Sequence, residues 1–341
     1  MTTYCPVDCT VDLCAPGRQI GRLELPRSTN TSGWAHTFVP IATVTNGEGP
    51  TVLVLAGNHG DEYEGQIATL KLLRRLQASD VSGRIIVIPC LSRTASANGT
   101  RLWPSGANFN RSFPGRVDGP ANEQLAWFLT TVLMPMSDVV IDIHTGGRSA
   151  RFIPCSHMHW VDDAAQRREM AKGMLAWNTD FHFIYIDVAG SGLLPNEAEG
   201  QGKNVITTEL GGGGYCSAET HAIAERGLDN VLRHLGVLTG PVQTRKDLGL
   251  GDPIVLDGRD PANYLYAPAS GLWETLLDPG DPVIEGQPVG RIHFMEEPER
   301  EPITLTSRST GMVAVVRAIV PTEQGDNVLV VGTQLDLDEL R

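Results

Sequence analysis

The chain has 341 residues, of which 41% are hydrophobic and 20% charged, and a formal net charge of −13. That length can bury a large core and suits two domains of ordinary globular composition. The acidic balance argues against nucleic-acid or anionic-membrane binding, both of which need basic surface.

The first seventeen residues lack a basic start followed by an apolar run, so no signal peptide is expected. No stretch of 18 apolar residues offers a membrane span. A soluble, cytoplasmic protein is therefore expected. Cys5, Cys9 and Cys14 cluster without the paired Cys-x-x-Cys of a structural zinc site and read as ordinary thiols.

Residues 1–48 form a β-rich lead-in. Val11, Leu13, Ile20, Leu23 and Leu25 sit among turn residues, and a second apolar run covers Phe38 to Val44. This segment is expected to pair with an edge of the main sheet.

Residues 49–240 alternate strand and helix patterns. Expected strands are Thr51–Ala56, Arg84–Cys90, Asp138–His144, His182–Asp187 and Asn204–Leu210. Expected helices are Glu62–Gln77, Ala121–Met134, Asp163–Trp177 and Ala218–Leu235. Ile67, Leu70, Leu73 and Leu76 suit one face of the first helix. Leu125, Phe128, Leu129, Val132 and Leu133 suit one face of the second. Such alternation predicts an α/β domain whose largely parallel sheet is covered on both faces.

In such folds, sites gather at the carboxyl ends of strands. His59, His144 and Glu209 all fall at or just past such ends. His59 and Glu62 are three apart where a strand passes into a helix, so one turn can bring an imidazole and a carboxylate to one ion. His144 is a candidate third ligand, completing a set that suits zinc with an open position. Asp142 shares a strand face with His144 and could orient it. Arg111 beside Asn110, in a Gly/Pro-rich loop from 99 to 119, offers converging donors for a carboxylate. Arg101, earlier in that loop, could donate to a developing oxyanion. Glu209, before four glycines, could carry a proton from water to a leaving amine. His157 and His159 could also bind metal but are assigned to the rim. The stretch from Gly190 to Gly202, with Glu197 and Glu199, reads as a flexible acidic loop bordering the site.

Residues 241–341 hold short β-like runs broken by Gly, Pro and Asp. Ala269 to Trp273 is echoed by Ser309 to Val313, and Gly280 to Val283 by Gly325 to Val328. This internal repeat resembles the halves of a biotinyl/lipoyl-type β-barrel. A carrier domain needs a lysine at a hairpin turn, and the last lysine here is Lys246. A structural or lid role is expected for this C-terminal, barrel-like domain.

Taken in order, His59-Gly60-Asp61-Glu62, Asn108-Phe109-Asn110-Arg111, Asp142-Ile143-His144 and Glu209 resemble the motifs of succinylglutamate desuccinylases and aspartoacylases, which are zinc-carboxypeptidase-like in fold. The likeness spans roughly residues 50–240, and the β-rich tail is also typical. It implies an α/β/α sandwich with a mixed, largely parallel sheet. It implies one Zn2+ per chain held by His59, Glu62 and His144, with Glu209 as general base and acid. It assigns Arg101 to the oxyanion, and Asn110 with Arg111 to the substrate α-carboxylate. Aspartoacylases have Asp-Leu-Asn-Arg where this chain has Asn108-Phe109-Asn110-Arg111, a departure from the aspartoacylase pattern.

Within the family, Gly57 to Gly65, Asn110 to Gly115 and Thr208 to Gly214 look closest to members that deacetylate N-acetyl-2,4-diaminobutyrate in ectoine breakdown. The expected activity is zinc-dependent hydrolysis of a small N-acyl amino acid, with no nucleic-acid or membrane partner and with homo-oligomerisation left open. Alternatives are another acyl group such as succinyl, a carboxypeptidase, or a non-catalytic binding protein of the same fold. Asp61, Glu64, Glu197 and Glu199, in or near the site-forming loops, are expected to favour a cationic substrate side chain.

Overall fold

The computed structural model describes residues 5–186 and 191–340. Its backbone is one long mixed sheet with a smaller antiparallel sheet beside it. The middle of the long sheet is mostly parallel. Thr51–Ala56 lies between Gly83–Ile88 and Val139–His144, parallel to both. Val139–His144 is in turn parallel to Asn204–Glu209. The next strand, Cys155–His159, runs antiparallel to Asn204–Glu209 and parallel to Phe181–Tyr185.

Antiparallel pairs extend both flanks. On one side the hairpin of Gly17–Thr29 and Ser32–Asn46 attaches through its second strand to Gly83–Ile88. On the other side Ile254–Asp257 lies parallel to Phe181–Tyr185 and antiparallel to Asn327–Leu335. The sheet therefore runs without a break from the early hairpin into the C-terminal strands.

Alternation along each central strand divides the core. In Val139–His144, Val139, Ile141 and Ile143 join the cluster under the helices Glu64–Arg75 and Ala218–His234. Val140 joins the opposite cluster, with Leu125, Leu129 and Leu133 from the Ala121–Phe128 helix and its continuation, and with Leu194. Asp142 and His144 share the face of Val140, because side chains two apart point the same way.

Most expected elements are present, with ends shifted by no more than two residues once the continuation of the Ala121–Phe128 helix through Leu129–Leu133 is included. Asp187, the expected end of one strand, and Gly190, the start of the expected acidic loop, lie outside the described residues. Two expectations change. On the first helix's expected face Leu73 and Leu76 are buried, but Leu70 is 42% exposed, and Ala68 and Leu72 face the core as well. Gly65 sets that rotation. A Cβ there would lie 2.6 Å from Ile143 Cγ2, so the helix meets the sheet along its glycine. The acidic stretch is not a loop throughout: Leu194–Gly200 is a helix with Pro195 in its first turn, a position where the missing N–H is not needed.

Among the described residues no helix is long and apolar enough to cross a membrane. Near the C-terminus, Trp273, Val289 and Ile292 of the four-stranded sheet pack against Val313, Val316 and Leu329 of the long sheet, closing a barrel-like core.

Candidate active site

The turn that leaves Thr51–Ala56 is pinned from outside. Ser92 Oγ donates to the Asn58 carbonyl at 2.6 Å and itself accepts from Trp103 Nε1 at 2.7 Å. The Gly60 N–H donates to the Arg101 carbonyl at 3.3 Å, tying the turn to the following loop. So held, Glu62 sits between two imidazoles. Its Oε1 is 2.7 Å from His59 Nδ1 and its Oε2 is 2.8 Å from His144 Nδ1. All three residues are buried, and one ligand atom from each lies within 4.8 Å of the others.

The other side of His144 fixes its chemistry. Nε2 lies 2.8 Å from Asp142 Oδ2, which also accepts from Asn58 Nδ2 at 2.9 Å. With Nε2–H given to Asp142, Nδ1 is a lone pair facing a carboxylate oxygen. That contact is repulsive unless a cation lies between them. A proton can fill the role: burial alone would lower the His144 pKa, but Asp142 and Glu62 raise it well above the usual value. Burial pushes Glu62 upward, yet the two histidines outweigh it and hold the carboxylate well below its usual range. Two imidazole nitrogens and a carboxylate converging on one point is also the donor set of a divalent metal, so these residues fit one.

Glu209 ends the neighbouring parallel strand in register with His144. Its Oε2 is buried and has no hydrogen-bond partner among the described residues. Burial, reinforced by the charge of Glu62, pushes its pKa up to about 8. A carboxyl group poised there can accept and return a proton near neutral pH. The four following glycines do not form a free turn. The backbone passes so close to Ala150 that a Cβ on Gly212, at φ +120°, would fall 2.4 Å from the Ala150 carbonyl oxygen.

His59, His144 and Glu209 open onto a cavity of about 560 Å³ that Arg101, Asn110 and Arg111 also line. Arg101 Nη1 donates to Glu62 Oε1 at 3.1 Å. Asn110 is oriented by the Leu194 N–H, which donates to its Oδ1 at 2.8 Å, leaving its NH2 as donor. Arg111 Nη1 donates to the Asn110 carbonyl at 2.7 Å. His59, Arg101, Asn110, Arg111, His144 and Glu209 thus line one cavity, with Glu62 buried between the two histidines and Asp142 hydrogen-bonded to His144.

The four acids expected to favour a cation do not line it. Asp61 Oδ2 accepts from the Arg148 N–H at 2.9 Å. Glu64 is buried and accepts from Thr220 Oγ1 at 2.9 Å. Glu197 accepts from Gln201 Nε2 at 3.0 Å, and Glu199 lies 2.9 Å from His159 Nδ1. Each is engaged in holding the fold. His157, assigned to the rim, is a buried wall residue.

Sequence reasoning missed the distal wall. Tyr185, Tyr264, Tyr266, Arg317 and Asn327 line the cavity, four of them from the C-terminal hundred residues. The one available signal was the Tyr-Leu-Tyr alternation at 264–266, which places two aromatic rings at strand spacing.

A mixed α/β/α sheet carrying a His–Glu–His cluster, with a second buried carboxyl in register beside it, defines a carboxypeptidase-like hydrolase architecture. The model of the succinylglutamate desuccinylase/aspartoacylase catalytic domain matches residues 48–235. The N-alpha-acetyl-L-2,4-diaminobutyric acid deacetylase of Halomonas elongata is 40% identical over 327 residues, covering 96% of this chain and 94% of that one. The product-bound ectoine utilization protein EutE (DoeB) of Ruegeria pomeroyi superposes with a TM-score of 0.92 at 35% identity, covering 97% of this chain and 99% of that one. A succinylglutamate desuccinylase/aspartoacylase structure from Rhodobacter sphaeroides gives 0.92 at 36% identity, with coverage of 97% and 99%. This chain belongs to the succinylglutamate desuccinylase/aspartoacylase family.

Proposed function

We propose that this protein is a zinc-dependent amidohydrolase that converts N-alpha-acetyl-L-2,4-diaminobutyrate to L-2,4-diaminobutyrate and acetate, a step of ectoine degradation. The observation that carries this reading is that a chain alignable almost end to end with a named deacetylase has His59, His144 and Glu209 on the wall of one cavity, with Glu62 buried between the two histidines. In this reading His59, Glu62 and His144 hold the ion. Zinc there would polarise the acyl carbonyl and acidify water. Glu209 takes the proton of the attacking water and delivers it to the leaving α-amine. Arg101 turns from Glu62 to the developing oxyanion, and Asn110 with Arg111 grips the α-carboxylate.

A dianionic substrate such as N-acetylaspartate or N-succinylglutamate would need a further cation. The remaining cavity arginine, Arg317, is paired with Asp326 at 2.9 Å, which supports a monocarboxylate substrate. We assign the chemistry to segment 49–240, and part of the substrate wall to segment 241–341. The lead-in 1–48 braces the sheet. The six cysteines are unpaired, in keeping with a reducing, cytoplasmic setting.

The test is kcat/KM of the zinc-loaded protein for N-acetyl-2,4-diaminobutyrate, N-acetylaspartate and N-succinylglutamate at one pH and salt concentration. The first should be preferred. Preference for either dianion overturns the substrate assignment, and hydrolysis of none overturns the activity.

A further inference from the structure

His157 and His159 stand on the cavity side of strand Cys155–His159, and the chemistry above uses neither. His157 is paired in register with Thr207 on one neighbouring strand and with Phe183 on the other, and it lines the cavity beside His144, Thr207 and Glu209. It is 4% exposed.

Its tautomer follows from its partner. Thr207 Oγ1 lies 2.8 Å from the His157 carbonyl oxygen and 2.9 Å from His157 Nδ1. The hydroxyl has one proton. Given to the carbonyl, it leaves Oγ1 to accept from Nδ1–H. Nε2 is then a bare lone pair, and it is buried without a hydrogen-bond partner among the described residues. Burial, aided by nearby His144 and His159, keeps the His157 pKa well below the usual value, so the ring stays a neutral acceptor.

Behind it, His159 Nδ1 is held by Glu199 at 2.9 Å, and the Tyr185 ring stands 5.0 Å from the ring of His157 and 4.5 Å from that of His159. Glu209 is the one carboxyl group among the described residues lining the cavity, and the proposed proton transfer occupies it. A cationic group on the substrate must therefore find a neutral acceptor on the wall.

We propose that His157 is a specificity residue whose Nε2 accepts a hydrogen bond from a protonated primary amine on the substrate side chain. The cavity thereby selects N-acyl amino acids with a short cationic side chain over those with an apolar chain of the same shape. This inference rests on the deacylase reading above.

The test compares kcat/KM for N-acetyl-L-2,4-diaminobutyrate and for its uncharged isostere N-acetyl-L-norvaline. Wild type should prefer the cationic substrate. His157→Phe should cut that preference about 10- to 100-fold, the usual worth of one hydrogen bond to a charged group. His157→Gln, which restores an acceptor, should recover part of it. Equal losses on both substrates, or an undiminished preference, overturn the proposal. Hydrolysis of both by wild type without preference also overturns it and leaves the deacylase reading standing; hydrolysis of neither ends both. If the Phe variant does not fold, nitrogen-15 NMR of the zinc-loaded wild type decides. Adding L-2,4-diaminobutyrate should move the His157 Nε2 resonance, and an unmoved resonance overturns the proposal.

Discussion

Glu209 and His144 are Cα partners at the ends of two parallel strands, so the proposed proton carrier and one proposed ligand are the two halves of one rung of the same ladder. The ladder alternates its side chains, which puts Asp142, His144, Thr207 and Glu209 on one face with no loop to position them. Such a site inherits the rigidity of the central sheet, where Val139–His144 is buried along its whole length.

The first prediction concerns the ion. His59→Ala removes one of three donors and should abolish stoichiometric zinc binding and hydrolysis together, while Asp142→Asn should keep the fold but weaken zinc about 10- to 100-fold by loosening His144. Elemental analysis and competition with a chromophoric chelator measure both. Full zinc occupancy in His59→Ala would remove that residue from the ligand set.

The second concerns Glu209. Glu209→Gln should retain zinc and lose about 10²-fold or more in kcat. The same carboxyl group should leave a mark on the metal-free protein. Its pKa is raised from about 4.5 when unfolded to about 8 when folded, so the folded state binds its proton more tightly. Stability should therefore fall as pH rises through that window. Glu209→Gln, which cannot ionise, should lack this slope in urea titrations at successive pH values; identical slopes in the two proteins would contradict the burial argument.

Third, Arg111 and Arg101 should separate kinetically. Arg111→Ala removes a contact made equally to substrate and transition state, so KM should rise with kcat little changed. Arg101→Ala removes a donor needed as the oxyanion forms, so kcat should fall by about 10²-fold or more. The reverse pattern would exchange their roles.

A fourth prediction lies away from the site. His182 is fully buried; its Nδ1 is 2.7 Å from Ser156 Oγ, which donates to the Met174 carbonyl. Burial, with Arg245 adding to it, pushes the His182 pKa down to about 3. Its contribution to stability is complete above about 6.5 and is lost as pH falls toward 3. Below pH 6.5 this one group should steepen the loss by about 1.4 kcal/mol per pH unit. Calorimetry of metal-free wild type and His182→Asn between pH 4 and 7 checks this; equal acid slopes would show that His182 is not the responsible group.

What the sequence alone determined is what short-range geometry determines. A strand passing into a helix puts His59 and Glu62 one turn apart, and a two-residue repeat puts Asp142 behind His144. Both relations hold wherever the segments lie in space. Hydrophobic pattern likewise located the central strands, which are covered on both faces and read as continuous apolar runs, and the long helices, each of which turns one stripe inward. The tertiary structure decided what depends on the mutual register of distant strands. It placed Glu209 beside His144 and His157 beside Thr207, brought Tyr264 and Arg317 across to the cavity, and turned Asp61, Glu64 and Glu199 to partners of their own. Charge in a nearby loop says nothing of direction: a carboxylate faces a cavity only if no closer N–H, hydroxyl or imidazole claims it first, and packing alone settles that competition.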